Sequence, residues 1–218
     1  MWLWLLLGAL AVLAGVVITR GCLFHAPKAA PVAPVRVAVD EDAAARALSA
    51  LVQCRTVSHT DPAEDDTAEF DRLLALLPTL FPRVHAACVF ETIGDRGMLY
   101  RWQGETSENP LVLTAHYDVV PADPALWDGD PFSGEIFDGI IHGRGTLDTK
   151  CTLSAVLSAA ETLLTQGFHP ARDIYFCFAG NEEVMGDGAA AIVDTLEKRG
   201  VTPLCVVDEG GAIVEKVF

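Results

Sequence analysis

One imidazole and one carboxylate at the end of an apolar run carry the first chemical signal in this chain. Leu111 to Ala115 reads as a buried strand, and His116 and Asp118 follow it. In extended chain, residues two apart point to the same side. A His with a carboxylate beside it suits a metal ligand and the partner that orients it. The plainer readings are a structural His and a turn-capping Asp. Further on, Gly143, Arg144 and Gly145 form a turn, and Asp148 opens the next helical pattern. A carboxylate there can reach a cation over the strand ends, or can serve as the N-cap of the helix that follows.

Glu182 and Glu183 are adjacent within the apolar stretch FCFAGNEEVMG. Two neighbouring carboxylates in such a setting are costly unless they have a cation or a proton to handle. A surface pair is the alternative. Asp208 sits in VVDEGG, again directly after an apolar run, with Glu209 competing for any role it has. His116, Glu182 and Asp208 thus each fall at the carboxyl end of a strand-like run, where open α/β sheets form their sites.

The elements that must hold these groups read as follows. Asp40, Glu41 and Asp42 favour a helix start, with Ala44, Leu48, Leu51 and Val52 as its apolar face. Asp61 and Pro62 predict a second helix continuing through Leu80, and His59 lies in the loop between. Val84 to Thr92 and Met98 to Trp102 alternate as an antiparallel pair of strands, and Gly134 to His142 reads as a hairpin around Asp138-Gly139. Helices are predicted over Thr152 to Gln166 and Asp187 to Lys198, with Gly200 as a cap. Strands are predicted at Ile174 to Ala179 and Leu204 to Val207, with one more starting at Ala212 to Val214. Apolar strands alternating with helices predict an α/β fold: a three-layer domain with a central mixed sheet and helices on both faces.

HYDVVP, WDGDPFSG, GRGTLDTK, GNEE and VVDEGG, in that order, resemble the co-catalytic zinc family of aminoacylases and carboxypeptidases. Within it the wording GRGTLD and DEGG is most similar to carboxypeptidase S and the N-fatty-acyl-amino acid hydrolases. The resemblance runs from about Asp40 to the end. It implies two zinc ions, other divalent ions being compatible with one His among carboxylates. It assigns His116, Asp148, Glu183 and Asp208 as metal ligands, with Asp148 bridging and Asp208 sharing a metal with His116. It gives Asp118 the orienting role and Glu182 that of general base. The family often carries a second acidic residue where Thr149 stands, at a position that is not a ligand. Trp127, Asp130, Pro131 and Phe132 are expected to shape the loop beside the site, and Arg144 and Lys150 to be structural ion-pair partners.

The implied activity is zinc-dependent hydrolysis of an amide bond next to a free carboxylate, in a peptide or an N-acyl amino acid. The family completes its second metal with a late His in a longer chain, and His142 and His169 match no such motif. It also inserts a lid domain that supplies dimer contacts. Residues 40–218 are therefore expected to be the N-terminal part of such a catalytic domain, without lid or final segment, a homodimer being implied only through that lid. The alternative expectation is a truncated, inactive, membrane-anchored paralogue that binds a metal or a partner.

A net charge of −15 argues against a nucleic-acid surface, which needs basic patches. It does not argue against cations. Six cysteines without CxxC or regular spacing read as free thiols. Trp2 to Ile18 carries no charge, and residues 1–22 read as a membrane anchor or signal segment, followed over 23–39 by a Pro/Ala linker. Arg20, Lys28 and Arg36 follow the apolar stretch, which by the positive-inside rule keeps the downstream side cytoplasmic. The resembled relatives are instead exported. The expectation is a membrane anchor with the catalytic domain exported or lumenal, secretion being the alternative.

Overall fold

The computed structural model describes residues 2–24 and 38–210. The chain divides into two units, Met1–Ala38 and Val39–Phe218. Most of the expected linker and the strand expected at Ala212 to Val214 lie outside the described residues.

The first unit holds helix α1, Trp2–Leu23, exposed along its length. Its 22 residues reach a mean hydropathy of 2.3 over their most apolar window, so by length and composition it can cross a membrane. A signal sequence meets the same test.

In the second unit, α2 (Glu41–Val52) starts where Asp40 accepts the Ala43 N–H at 2.9 Å, an ordinary side-chain cap. The helix expected from Asp61 starts later. Asp61 caps only one 3-10 turn, Pro62–Glu64, and Asp66 caps α3, Thr67–Leu80. The strand expected from Val84 is half helix. Pro82 stands in the first turn of α4 (Pro82–Ala87), which buries Val84. Then come β1 (Val89–Ile93), β2 (Gly97–Trp102) and β3 (Leu111–His116). The expected hairpin is β4 (Ile136–Phe137) with β5 (Ile140–Ile141), a separate two-stranded ribbon. It is followed by α5 (Lys150–Thr165), β6 (Ile174–Ala179), α6 (Gly188–Lys198) and β7 (Cys205–Val207).

The main sheet runs β1-β2-β6-β3-β7. β2 runs antiparallel to its two neighbours, β1 and β6, whereas β3 runs parallel to both β6 and β7, so the sheet is mixed. Alternation along the strands divides the core in two. Met98, Tyr100, Ala115, Phe176 and Phe178 face Leu51, Leu73, Leu77, Val84, Leu153 and Leu157 of α2 to α5. Leu99, Val112, Tyr175 and Cys177 face Ile192 and Leu196 of α6. Period-2 side chains covered on both sides by helices make the expected three layers. All six cysteines are free.

Candidate metal centre

β3 and β6 end side by side, His116 opposite Ala179 in register. The two strands therefore deliver His116 and the Asn181-Glu182-Glu183 turn to one place. β7 pairs with β3 as far as Val207, which brings Asp208 and Glu209 to the same end. Gly180 fits where it is because any Cβ there would strike the Tyr117 ring.

Asp118 is fully buried and takes four donors. Its Oδ1 accepts the Glu182 N–H at 3.0 Å, and its Oδ2 accepts the Glu183 N–H at 3.1 Å and the Ser58 hydroxyl at 2.6 Å. His116 Nδ1 lies 3.3 Å from Asp118 Oδ1 and 3.0 Å from the Asp118 carbonyl oxygen. Both neighbours are acceptors, so Nδ1 carries a hydrogen, and Nε2 is the nitrogen that can meet a cation once it gives up its own proton. Burial works to raise the Asp118 pKa, but the His116 ring, the Ser58 hydroxyl and the Glu182 N–H outweigh it and hold the carboxyl below its usual value.

His116 Nε2 looks into a ring of carboxylates. Asp148 Oδ1 is 3.0 Å away, Glu209 Oε2 3.6 Å and Glu182 Oε2 3.7 Å. Two groups have ligand atoms within 4.8 Å of one another: His116, Asp148 and Glu183, and His116, Glu182 and Glu209. Burial pushes the His116 ring toward neutrality, yet Asp118, Asp148 and Glu209 together lift its pKa to about 9. Burial, with neighbouring carboxylates, raises the pKa of Glu183 and of Glu209. Negative charge is thus in excess at the strand ends, and a cation would relieve it. One imidazole with its second nitrogen tied to a carboxylate, amid several carboxylates, is a donor set that fits zinc and related divalent ions.

Five of the six expected site residues take part in this arrangement directly. Asp208 lines the same cavity of about 240 Å³ as His116, Glu182 and Glu209. Its carboxylate accepts from Thr114 Oγ1 and from the Glu209 N–H, and it joins neither of the two close groups. Asp148 does not cap α5, since Thr149 is the N-cap residue and the Asp148 side chain is 68% exposed. That leaves its oxygens free for a ligand role.

Three further side chains support the centre in ways the sequence did not indicate. Ser58 is one. Thr149 is another: its buried Oγ1 accepts the His116 N–H and donates to the His116 carbonyl oxygen, both at 3.1 Å, clamping the strand end. The third is Lys150, fully buried. Among the described residues it forms no ion pair, contrary to expectation, because its Nζ donates to the carbonyl oxygens of Leu51 and Cys54 at 3.1 and 2.6 Å. Burial lowers its pKa to about 8. Arg144 has no ion-pair partner among the described residues either. The expected loop residues pack as a unit: Asp130 accepts the Phe132 N–H at 2.9 Å and pairs with Arg55 at 3.1 Å. His59, read as a loop residue, is anchored through Nδ1 to Asp65 at 2.9 Å.

Residues 112–217 match the model of Peptidase family M20/M25/M40. The N-fatty-acyl-amino acid synthase/hydrolase PM20D1.1 of Danio rerio is 40% identical over 173 residues, which are 76% of this chain and 33% of that protein. Its Homo sapiens counterpart PM20D1 is 38% identical over 185 residues, 83% of this chain and 35% of that one. Carboxypeptidase S of Saccharomyces cerevisiae is 35% identical over 77% of this chain and 32% of its own. The chain therefore spans about a third of the length of these relatives. Among solved structures, human carnosine dipeptidase 1 superposes with a TM-score of 0.64 at 20% identity, over 81% of this chain and 40% of its own. An M20 family metallo-carboxypeptidase from Sulfolobus solfataricus gives 0.61 at 23%, over 78% and 38%. At these identities the likeness is one of fold.

Proposed function

The chain belongs, through residues 112–217, to peptidase family M20/M25/M40, and from that premise we propose a metal-dependent hydrolase of amide bonds next to a free carboxylate. Its substrates are peptides cut at the C-terminal residue or N-acyl amino acids. The observation that carries this reading is the His116 ring, with Nδ1 tied to Asp118 and Nε2 facing Asp148, Glu182 and Glu209.

In this reading His116, Asp148, Glu183 and Asp208 would hold two zinc ions per complete active site, the second completed by the late His that the family carries in a longer chain. Divalent cations in such a set polarise a carbonyl oxygen and acidify water. Asp118 keeps the His116 tautomer fixed, and through the Glu182 and Glu183 N–H groups it also sets the turn that carries both glutamates. Glu182 stays free to take a proton from water and hand it to the leaving amine. A second reading for one ligand has its own support. Glu209, not Asp208, belongs to a close group with His116, so Glu209 can hold the ion that Asp208 otherwise would.

Zinc titration of the purified protein checks the stoichiometry, expected at two. Glu182→Gln is expected to keep the zinc and to lower hydrolysis of N-acyl amino acids or dipeptides by about 10²–10⁴-fold, the usual worth of a general base. Hydrolysis surviving that change refutes the role. Asp208→Asn and Glu209→Gln, titrated side by side, decide which carboxylate binds. We also read α1 as a membrane anchor placing the domain on the exported or lumenal side, with cleavage and secretion as the alternative. Carbonate extraction of microsomes separates these, since an anchored domain stays with the membrane and a cleaved one is released.

A further inference from the structure

A second imidazole is tied to a buried carboxylate as His116 is tied to Asp118. His59 Nδ1 lies 2.9 Å from Asp65 Oδ1, and the same oxygen accepts the His59 backbone N–H at 2.8 Å. The Asp65 side chain is 3% exposed, and its Oδ2 pairs with Arg96 at 2.6 Å. Arg96 is held in turn against the Phe70 ring, 3.8 Å from its centre. On the other side of His59, Ser58 is bonded to Asp118. Ring and backbone of His59 are thus fixed from both directions. Asp65 is an acceptor, so Nδ1 carries a hydrogen, and in the neutral ring Nε2 is an acceptor. Among the described residues nothing bonds to that nitrogen.

His59 lines a cavity of about 510 Å³, within the range of small-molecule sites, and Glu183 lines it as well. Glu183 also belongs to the close group with His116 and Asp148. Val120, Pro121 and Val184 give the cavity an apolar wall, and no Lys or Arg lines it. One space thus joins a carboxylate of the metal centre to an acceptor that is held in place and unused. A side chain whose position is locked by a buried ion pair behind it is what a specific contact needs.

We propose that His59 receives the free ammonium group of a dipeptide, Nε2 accepting a hydrogen bond from it, so that dipeptides are used in preference to N-acyl amino acids. This rests on the hydrolase reading above and narrows its substrate class. An α-ammonium offers three N–H donors, and a bond from a charged donor is among the stronger ones. A plain acyl group has no donor at that position. Asp61 and Glu64 line the same space, so its potential favours a positive charge even where neither touches it. His59 acts here through binding, and its loss should appear in KM rather than kcat.

The test sets alanylphenylalanine against N-propionylphenylalanine, the same skeleton without the ammonium group, on the zinc-loaded full chain. It is run at about pH 7.2, where an ordinary imidazole is mostly neutral and an α-ammonium mostly charged. The unaltered protein is expected to favour the dipeptide by at least about ten-fold in kcat/KM. His59→Asn keeps an N–H donor for Asp65 where Nδ1 stood and removes Nε2. It should raise KM for the dipeptide by about 10–100-fold, with kcat within about three-fold and KM for the propionyl compound within about two-fold. His59→Gln, whose amide oxygen reaches about as far as Nε2, should fall between. Equal use of the two compounds by the unaltered protein overturns the proposal without any variant. So does a dipeptide preference that survives His59→Asn, and so does an equal loss on both compounds, which would mark a merely structural ring. If the unaltered protein hydrolyses neither compound, the hydrolase reading is the one in trouble. Calorimetric binding of alanylphenylalanine then still decides: a ten-fold weakening in His59→Asn supports the contact, and unchanged affinity or no binding at all removes it.

Discussion

Replacing Ser58 with Ala tests how the centre is held together. Ser58 is 2% exposed and Asp118 0%, and the hydroxyl donates to the carboxylate at 2.6 Å. A hydrogen bond to a charged group is worth about 1.5–3 kcal/mol, so the metal-free protein should lose about 2 kcal/mol of stability. For a chain of this size, that corresponds to a fall in melting temperature of about 4–8 °C. Three donors to Asp118 remain, namely the His116 ring and the two backbone N–H groups, so the carboxylate stays ionised but shifts. Loosening the orienter of a metal-ligating His typically costs 10–100-fold in affinity. Thermal unfolding without metal and zinc competition against a chromophoric chelator read the two effects separately, and Ser58→Thr should restore part of each. A melting point within about 1 °C and zinc affinity within about two-fold would show that Asp118 needs no help from this loop, and the reasoning would fail.

Three further outcomes follow from contacts already given. Arg96 is 9% exposed, pairs with Asp65 Oδ2 and lies 3.8 Å from the Phe70 ring centre, so Arg96→Met should cost about 1.5–3 kcal/mol in denaturant unfolding, Asp65 Oδ1 keeping its two contacts with His59. Burial lowers the His85 pKa, and the ring nitrogen faces the Tyr100 hydroxyl at 2.9 Å. A base with a depressed folded pKa binds fewer protons folded than unfolded, so stability should fall as pH drops below about 6.5, the unfolded value. Urea midpoints at pH 7.5 and 5.5 should differ less in His85→Gln than in the unaltered protein. Saturating zinc should raise the melting temperature, by about 4 kcal/mol of stabilisation at a thousand-fold excess over Kd, and a chelator should reverse it; a melting point indifferent to both would count against the metal centre.

The strands that position the centre were legible because each is written as an apolar run, in β3 and β6 because they are largely buried and in β7 although its three residues are exposed. Leu111 to Ala115, Ile174 to Ala179 and Leu204 to Val207 mark β3, β6 and β7 to within one residue. The acidic residues after them stood out against that apolar background. Local capping was harder to place. Three aspartates, Asp61, Asp65 and Asp66, crowd the entry to α3, and only the backbone decides that Asp66 is the cap. The short helix α4 has too few residues for a period to show, and its apolar Val84 reads equally well as strand. Ser58 and Thr149 left no signal at all. A loop hydroxyl becomes a clamp only when the fold brings it against a carboxylate or a strand end 60 or 33 residues away. Arg144 and Lys150 were misjudged for a related reason, since a sequence shows charges but not which of them find partners.

The order of strands in the sheet also has a kinetic consequence. β3 is made early, but both of its neighbours come later in the chain, and Thr114 meets Asp208 across 94 residues. Loop closure on that scale must precede any reward from the contact, which slows folding. During synthesis His116 is therefore exposed before Glu182, and Glu182 before Asp208 and Glu209. β7, the last of the described strands, pairs with β3 through three residue pairs. A cation gripping both sides of that seam would fasten this late strand to the part of the parallel core made before it, so the metal supply of the compartment where the protein matures would set how much of it holds β7 in place.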